Sequence, residues 1–187
     1  MLQPIDVTLV AYEDGWPKQA AQYEKQLEVL GLILVTTHHI GSTSVPGLMA
    51  KPIIDLLPVV TSLHALDRNR ARVEALGFQW HGEFGIAGRR YCTLHGSAGE
   101  RLAQLHFFRE GSPEIMSHLV FRDYLRVHPE EAHAYAIEKS RARELHPTNS
   151  HAYTDEKVDW ITQALARALE WQNRALEASA ALIFPLV

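Results

Sequence analysis

Apolar residues fall in short, strand-length runs over the first part of the chain and recur at helical spacing from residue 112 onward. Residues 5–10 read as a short strand. Pro17 suits a first helical turn, and the spacing predicts a helix over 18–30 that Gly31 closes. Residues 33–40 are rich in β-branched side chains and predict a strand. A turn-rich element, 41–50, carries Pro46 and Gly47. Next comes an apolar run, 52–60, of strand length, whose one charge is Asp55. A helix is expected over 63–76, closed by Gly77. Residues 78–81, 89–95 and 101–109 predict three further strands. Gln104 and His106 alternate with Leu105 and Phe107, which gives the last strand one wet face.

Ser112, Pro113 and Glu114 form a helix start: a capping serine, a proline in the first turn and an acid near the positive end of the dipole. That helix runs to about 127, where His128-Pro129 breaks it. A second runs to about 145, residues 147–150 form a loop, and a long final helix is expected over 154–180. Strands first and helices afterwards make an α+β layout: a mixed β-sheet with flanking helices and a helical C-terminal half from about 112. No internal repeat or low-complexity linker interrupts it, so one domain is expected over residues 1–187.

Composition narrows the function classes. The 187 residues are 47% hydrophobic and 21% charged, ordinary for a globular chain. A net charge of −4 argues against holding nucleic acid by overall charge, while leaving room for a local basic pocket. With Cys92 as the single cysteine, neither an intramolecular disulfide nor a cysteine-built zinc site can form. The first ten residues contain Asp6 and no basic cluster, unlike a signal peptide. No apolar run reaches the roughly 18 residues of a membrane span. A cytoplasmic protein is the expectation. The apolar stretch 178–187 is expected to pack on its own body or on a partner chain, a second copy included.

The chemistry concentrates in His39-Ile40-Gly41-Ser42-Thr43-Ser44-Val45-Pro46-Gly47-Leu48 and in Lys51-Pro52-Ile53-Ile54-Asp55. Gly41 lets backbone approach a ligand with no Cβ in the way. Ser42, Thr43 and Ser44 offer three hydroxyls and adjacent N–H groups. A helix beginning here would aim its free N–H groups at the same point, a site for phosphate. Asp55 lies in an otherwise apolar strand, where a carboxylate is costly unless it meets a cation, a donor or water.

A strand, a Gly-Ser turn, a short helix and an aspartate on the next strand resemble the nucleotidyltransferase superfamily. Twelve residues lie between Ser42 and Asp55, which suits that pattern. The resemblance implies that Gly-Ser holds a triphosphate. It also implies an Asp-x-Asp/Glu pair and a third acid that bind divalent metal, Mg2+ or Mn2+. The longer words, joined by Phe121-Arg122-Asp123-Tyr124-Leu125-Arg126 with His128-Pro129, look like the GrpB family. Tyr12 to Trp16, Arg89-Arg90-Tyr91, Leu105-His106-Phe107, Tyr135 and Lys139 extend the likeness to about Trp171. The family implies the nucleotidyltransferase-like fold and bacterial occurrence. A similar domain is fused behind dephospho-CoA kinase in some bacteria. The family does not imply a settled activity.

The sequence departs from the catalytic pattern. The position two after Asp55 is Leu57, and the later strand offers Gln104 and His106 where a third acid would stand. Asp55 is therefore the candidate catalytic and metal-binding acid, with His106 as a second metal ligand. Gly41, Ser42, Thr43, Ser44 and Lys51 are candidate phosphate ligands, and so are Arg90, preferred over Arg89 and Arg101, and Arg122 and Arg126, four apart on one helix face.

A plainer role stands beside each. Thr43 and Ser44 could be caps, Asp55 could be satisfied by N–H groups or by Arg90, and Asp123 could form an ion-pair lock with a neighbouring helix. His39 and His106 could meet across adjacent strands or be ordinary strand histidines. Cys92 reads as an inert buried thiol. Trp160 and Trp171 read as core or dimer contacts.

Three functions compete. The first is transfer of a nucleotidyl or phosphoryl group. The second is a non-catalytic module that binds a nucleotide or phosphorylated small molecule and assists a partner enzyme, related to the dephospho-CoA kinase fused domain. The third is an interaction protein with a vestigial pocket.

Overall fold

The structure is a computed structural model that describes residues 3–183, those from 179 on in backbone only. The expectation for the apolar stretch beyond Ala178 falls outside the described side chains. The chain divides into two compact units, Leu9–Met116 and a second formed by Met1–Thr8 with Ser117–Val187.

The first unit holds a five-stranded mixed sheet. Its strands are β1 (Leu34–Ile40), β2 (Ile54–Val60), β3 (Gln79–Trp80), β4 (Arg89–His95) and β5 (Arg101–Arg109), in spatial order β1-β2-β5-β4-β3. β2 and β5 run parallel and every other pair is antiparallel. Helix α1 (Trp16–Leu27) packs over β1 and β2. Trp16, Ala20 and Leu27 on α1 join Ile54, Leu56, Ala103, Leu105, Phe107 and Cys92 in one buried cluster. Those sheet residues alternate along their strands, so they form one face of the sheet. Leu66 and Val73 join the same cluster from the short helices α2 (Leu63–Arg68) and α3 (Arg70–Glu74). Cys92 is fully enclosed, and burial pushes its thiol up, out of reach of ionisation.

Four expectations are corrected here. Residues 5–10 are not a strand: Val7 N donates to Pro147 O, Ser150 N to Ile5 O, and only Val10 forms a bridge, with Ala50. The helix expected over 18–30 stops as α-helix at Leu27 and continues as tighter turns across Gly31, whose φ is 58°. The helix expected over 63–76 is broken at Asn69, whose side chain donates to Ala65 O. The long final helix is two. Asn149 accepts from the amides of His151 and Ala152, starting α6 (Ser150–Glu156) early, and the chain breaks at Lys157 before α7 (Val158–Ile183).

In the second unit α4 (Pro113–Val127, from Ser117 on), α5 (Pro129–Leu145), α6 and α7 follow one another. Buried Tyr135, Lys139 and Ala142 share the i, i+4, i+7 face of α5. Tyr135 stacks on Trp160 of α7 at 4.8 Å and 11°. Arg167 on α7 grips both oxygens of Glu131 on α5, at 2.8 and 2.9 Å, and Tyr124 OH donates to the same carboxylate. These contacts give both tryptophans packing roles, since Trp171 meets Tyr124 and His128. Among the described residues no helix is long and apolar enough to cross a membrane.

Candidate functional site

Gly41 follows β1 with φ 69° and ψ −173°, a backbone conformation that is essentially glycine's alone. Its neighbour explains the choice. A Cβ built there would stand 2.5 Å from Asp55 Oδ2. Ile40 pairs with Asp55 across β1 and β2, so the register seats the carboxylate against the turn.

The turn itself is one 3₁₀ turn, Ser42–Ser44, and not the start of a longer helix. Ser44 Oγ donates to Gly41 O at 2.6 Å, and Ser44 N to the same oxygen at 3.2 Å. His39 Nε2 lies 2.9 Å from Thr43 Oγ1. Thr43 and Ser44 are buried, and Ser42 is half-exposed. Two of the three expected phosphate hydroxyls therefore brace the turn. The amides of Ser42 and Thr43 precede its first hydrogen bond.

Asp55, Leu57 and Val59 share one face of β2. Register and alternation add Gln104, His106 and Phe108 of β5, then Thr93, Tyr91 and Arg89 of β4. This is the face opposite the α1 core. His106 Nε2 lies 3.5 Å from Asp55 Oδ1. Arg89 Nη1 lies 3.4 Å from His106 Nδ1. Tyr91 OH donates to Gln104 Oε1, and burial pushes that hydroxyl up to about 12, so it is a neutral donor near pH 7. Phe84 stacks on the Tyr91 ring at 5.1 Å and 19°, and the Arg89 guanidinium sits 4.9 Å from that ring's centre. Lys51 is half-buried. Burial lowers its ammonium, and Asp55 opposes the shift while Arg101 adds to it.

The structure thus brings Gly41, Asp55 and His106 together and places Lys51 within electrostatic reach of Asp55. Arg90 stands elsewhere. Arg90 points to the opposite face from Asp55 by strand alternation. It grips Asp67 with Nε at 2.7 Å and Nη2 at 2.8 Å. It neither satisfies Asp55 nor shares its face, whereas Arg89 does lie on that face. His39 and His106 do not lie on adjacent strands, because β2 separates β1 from β5. Arg122 and Arg126 belong to the helical unit, where both reach Asp123 of their own helix, at 2.8 and 3.4 Å.

Sequence reading missed the grouping of Arg89, Tyr91 and Gln104 with Asp55. Alternation from Tyr91 would have favoured Arg89 over Arg90 once the β4–β5 register was known. Replacing Arg90 by Ala should cost at most about 1 kcal/mol, as expected for a part-exposed ion pair. It should also leave any ligand affinity at the turn unchanged, read by denaturant melts and titration calorimetry.

Divalent cations fit this donor set poorly. Two-metal chemistry needs several anionic ligands to hold cations about 4 Å apart. Asp55 is one carboxylate, Leu57 is fully buried where the second would stand, and the β5 neighbours are Gln104 and His106. Among the described residues no three His, Cys, Asp or Glu side chains converge as a metal site.

Residues 6–167 match the family model described as GrpB protein. The chain is 36% identical over 178 residues to UPF0157 protein YqkA of Bacillus subtilis, covering 95% of this chain and 51% of that protein. It therefore spans about half the length of that relative. The crystal structure of conserved protein GrpB from Enterococcus faecalis aligns with a TM-score of 0.82 at 34% identity, covering 88% of this chain and 99% of that one. A structure of Cid1 in complex with its short product ApU aligns at 0.51 with 14% identity, covering 71% of this chain and 42% of that one, a likeness of fold alone. The mixed sheet with flanking helices is thus the nucleotidyltransferase-like α+β fold that the sequence led us to expect.

Proposed function

The chain belongs to the GrpB protein family, and from that premise we propose that it binds a nucleotide or another phosphorylated small molecule at the turn formed by residues 41–44, without divalent metal. The observation that carries this reading is the braced turn: Gly41 in a glycine-only conformation, Ser44 and Thr43 holding it from inside, and half-exposed Ser42 at its mouth. A rigid backbone with leading amides suits phosphate oxygens, because no entropy is lost in ordering it on binding. Lys51 supplies a positive charge near the same carboxylate-bearing strand end. Cid1 is solved with ApU, which makes nucleotides the first ligands to test.

The reading is a binding module, which would serve a partner enzyme. Nucleotidyl transfer is the runner-up, resting on fold likeness. Titration calorimetry with ATP, GTP, CTP, UTP and coenzyme A, with and without Mg2+ or Mn2+, separates the two. The expected result is metal-independent binding that survives Asp55→Asn and weakens about tenfold in Ser42→Ala, the loss of one hydrogen bond to a charged group. Binding that requires Mg2+ and vanishes in Asp55→Asn overturns the module in favour of a transferase. No binding by any ligand overturns both and leaves a protein-interaction role.

A further inference from the structure

His106 is approached at both ring nitrogens. Arg89 Nη1 approaches Nδ1 at 3.4 Å, and Asp55 Oδ1 approaches Nε2 at 3.5 Å. A guanidinium can only donate, and an ionised carboxylate can only accept. Both approaches suit one neutral tautomer, with Nδ1 unprotonated toward Arg89 and Nε2–H toward Asp55.

Arg89 is well placed to enforce this. It is 7% exposed. Its Nη2 donates to Phe84 O at 2.6 Å and its Nε to Glu83 O at 3.2 Å, and its plane lies near the Tyr91 ring. Three further contacts therefore fix the direction in which Nη1 points. We propose that Arg89 is a positioning residue that locks His106 as an N–H donor to Asp55, so that the Asp55–His106 pair is a hydrogen-bonding subsite and not a metal site.

The consequence is chemical. A histidine binds metal through a bare nitrogen. Here the bare nitrogen faces a cationic guanidinium, and the nitrogen beside Asp55 carries a proton. Asp55 keeps lone pairs beyond the one that receives His106, since a carboxylate offers about four acceptor sites. With its side chain 26% exposed, it presents them to a donor such as a ligand hydroxyl or amine. This deepens the reading of the turn as a metal-free site, but the two fail separately, because the tautomer is read with no ligand present.

The test is a long-range ¹H–¹⁵N correlation spectrum of the full-length ¹⁵N-labelled protein near pH 8. His106→Gln identifies the His106 signals by their disappearance. The expected spectrum shows Nδ1 in the unprotonated range and Nε2 in the protonated range. Arg89→Met should release the ring into a mixture of tautomers, while Arg89→Lys, which keeps a donor, should retain more of the original form. Zn2+ added to the wild type should leave the Nε2–H signal in place. A protonated Nδ1 in the wild type, an unchanged signature in folded Arg89→Met, or loss of Nε2–H on adding Zn2+ each overturns the proposal. If Arg89→Met does not fold, the wild-type spectrum and the Zn2+ titration still decide it.

Discussion

Leu57→Asp should destabilise the protein by more than about 3 kcal/mol and should create no divalent-cation site. Read along the sequence, Leu57 stands where the superfamily pattern has its second acid, as though one substitution had removed a metal ligand. The structure gives the position a different character. Leu57 is completely enclosed, opposite His38 on β1, and shares its face of the sheet with buried Val59 and Phe108. A carboxyl placed there would be taken out of water, flanked by His38 on β1 and, by the β2–β5 register, His106 on β5, with no carboxylate beside it to share a cation except Asp55 two residues away.

Burial disfavours the charged form, so the introduced carboxyl would ionise well above the ordinary range in the folded state. The folded state then holds its proton more tightly than the unfolded chain. The deficit relative to wild type is smallest below the unfolded value of about 4 and widens as pH rises through the folded one. Urea melts at pH 4.5 and pH 8, with Leu57→Met as the volume-conserving control, would show it. Leu57→Met should lose less than about 1.5 kcal/mol. A stable Leu57→Asp protein that binds Mn2+ would mean that the position opens onto the site, and would return the metal-dependent reading to first place.

The same residue shows where sequence reading succeeds and where it stops. β1, β2, β4 and β5 were legible because β-branched and aromatic runs bounded by glycine and proline specify strands locally. The turn after Ile40 was legible because Gly41 next to three hydroxyl residues admits few conformations. The partners were not legible, because they depend on topology. β5 enters beside β2 in parallel, after two helices and two strands have intervened, and nothing local encodes that insertion. It decides that His106 meets Asp55 and that His39 does not meet His106. Choosing between Arg89 and Arg90 required the register of one strand against another, where a slip of one residue exchanges the two faces. The break at Lys157 escaped for a different reason. A lysine in a helical run reads as a surface residue, whereas this one is buried, with its ammonium 3.9 Å from the centre of the Tyr153 ring.

Gly41→Ala is the second large effect, and it separates two causes that the structure superimposes. The backbone conformation alone should cost about 1–3 kcal/mol, since φ 69° with ψ −173° is nearly closed to residues bearing a Cβ. The added methyl would also meet the Asp55 carboxylate, with Oδ2 at 2.5 Å and the Asp55 Cβ and Cγ at 3.0 and 3.1 Å. Relieving that contact requires Asp55 to turn away, the turn to shift, or both. Either movement disturbs the His106 contact and the placement of Ser42, so ligand binding at the turn should be lost even where the protein stays folded. A double-mutant cycle divides the cost. In an Asp55→Ala background the clash with the carboxylate is gone and the backbone strain remains. Gly41→Ala should therefore be less destabilising there, by a coupling of about 1–2 kcal/mol, within the range expected for residues in direct contact. Additive costs would show that the carboxylate does not press on the turn, and the case for a turn and acid built as one unit would fail. A positive coupling would tie the glycine, the aspartate and the binding competence of the turn to a single piece of geometry.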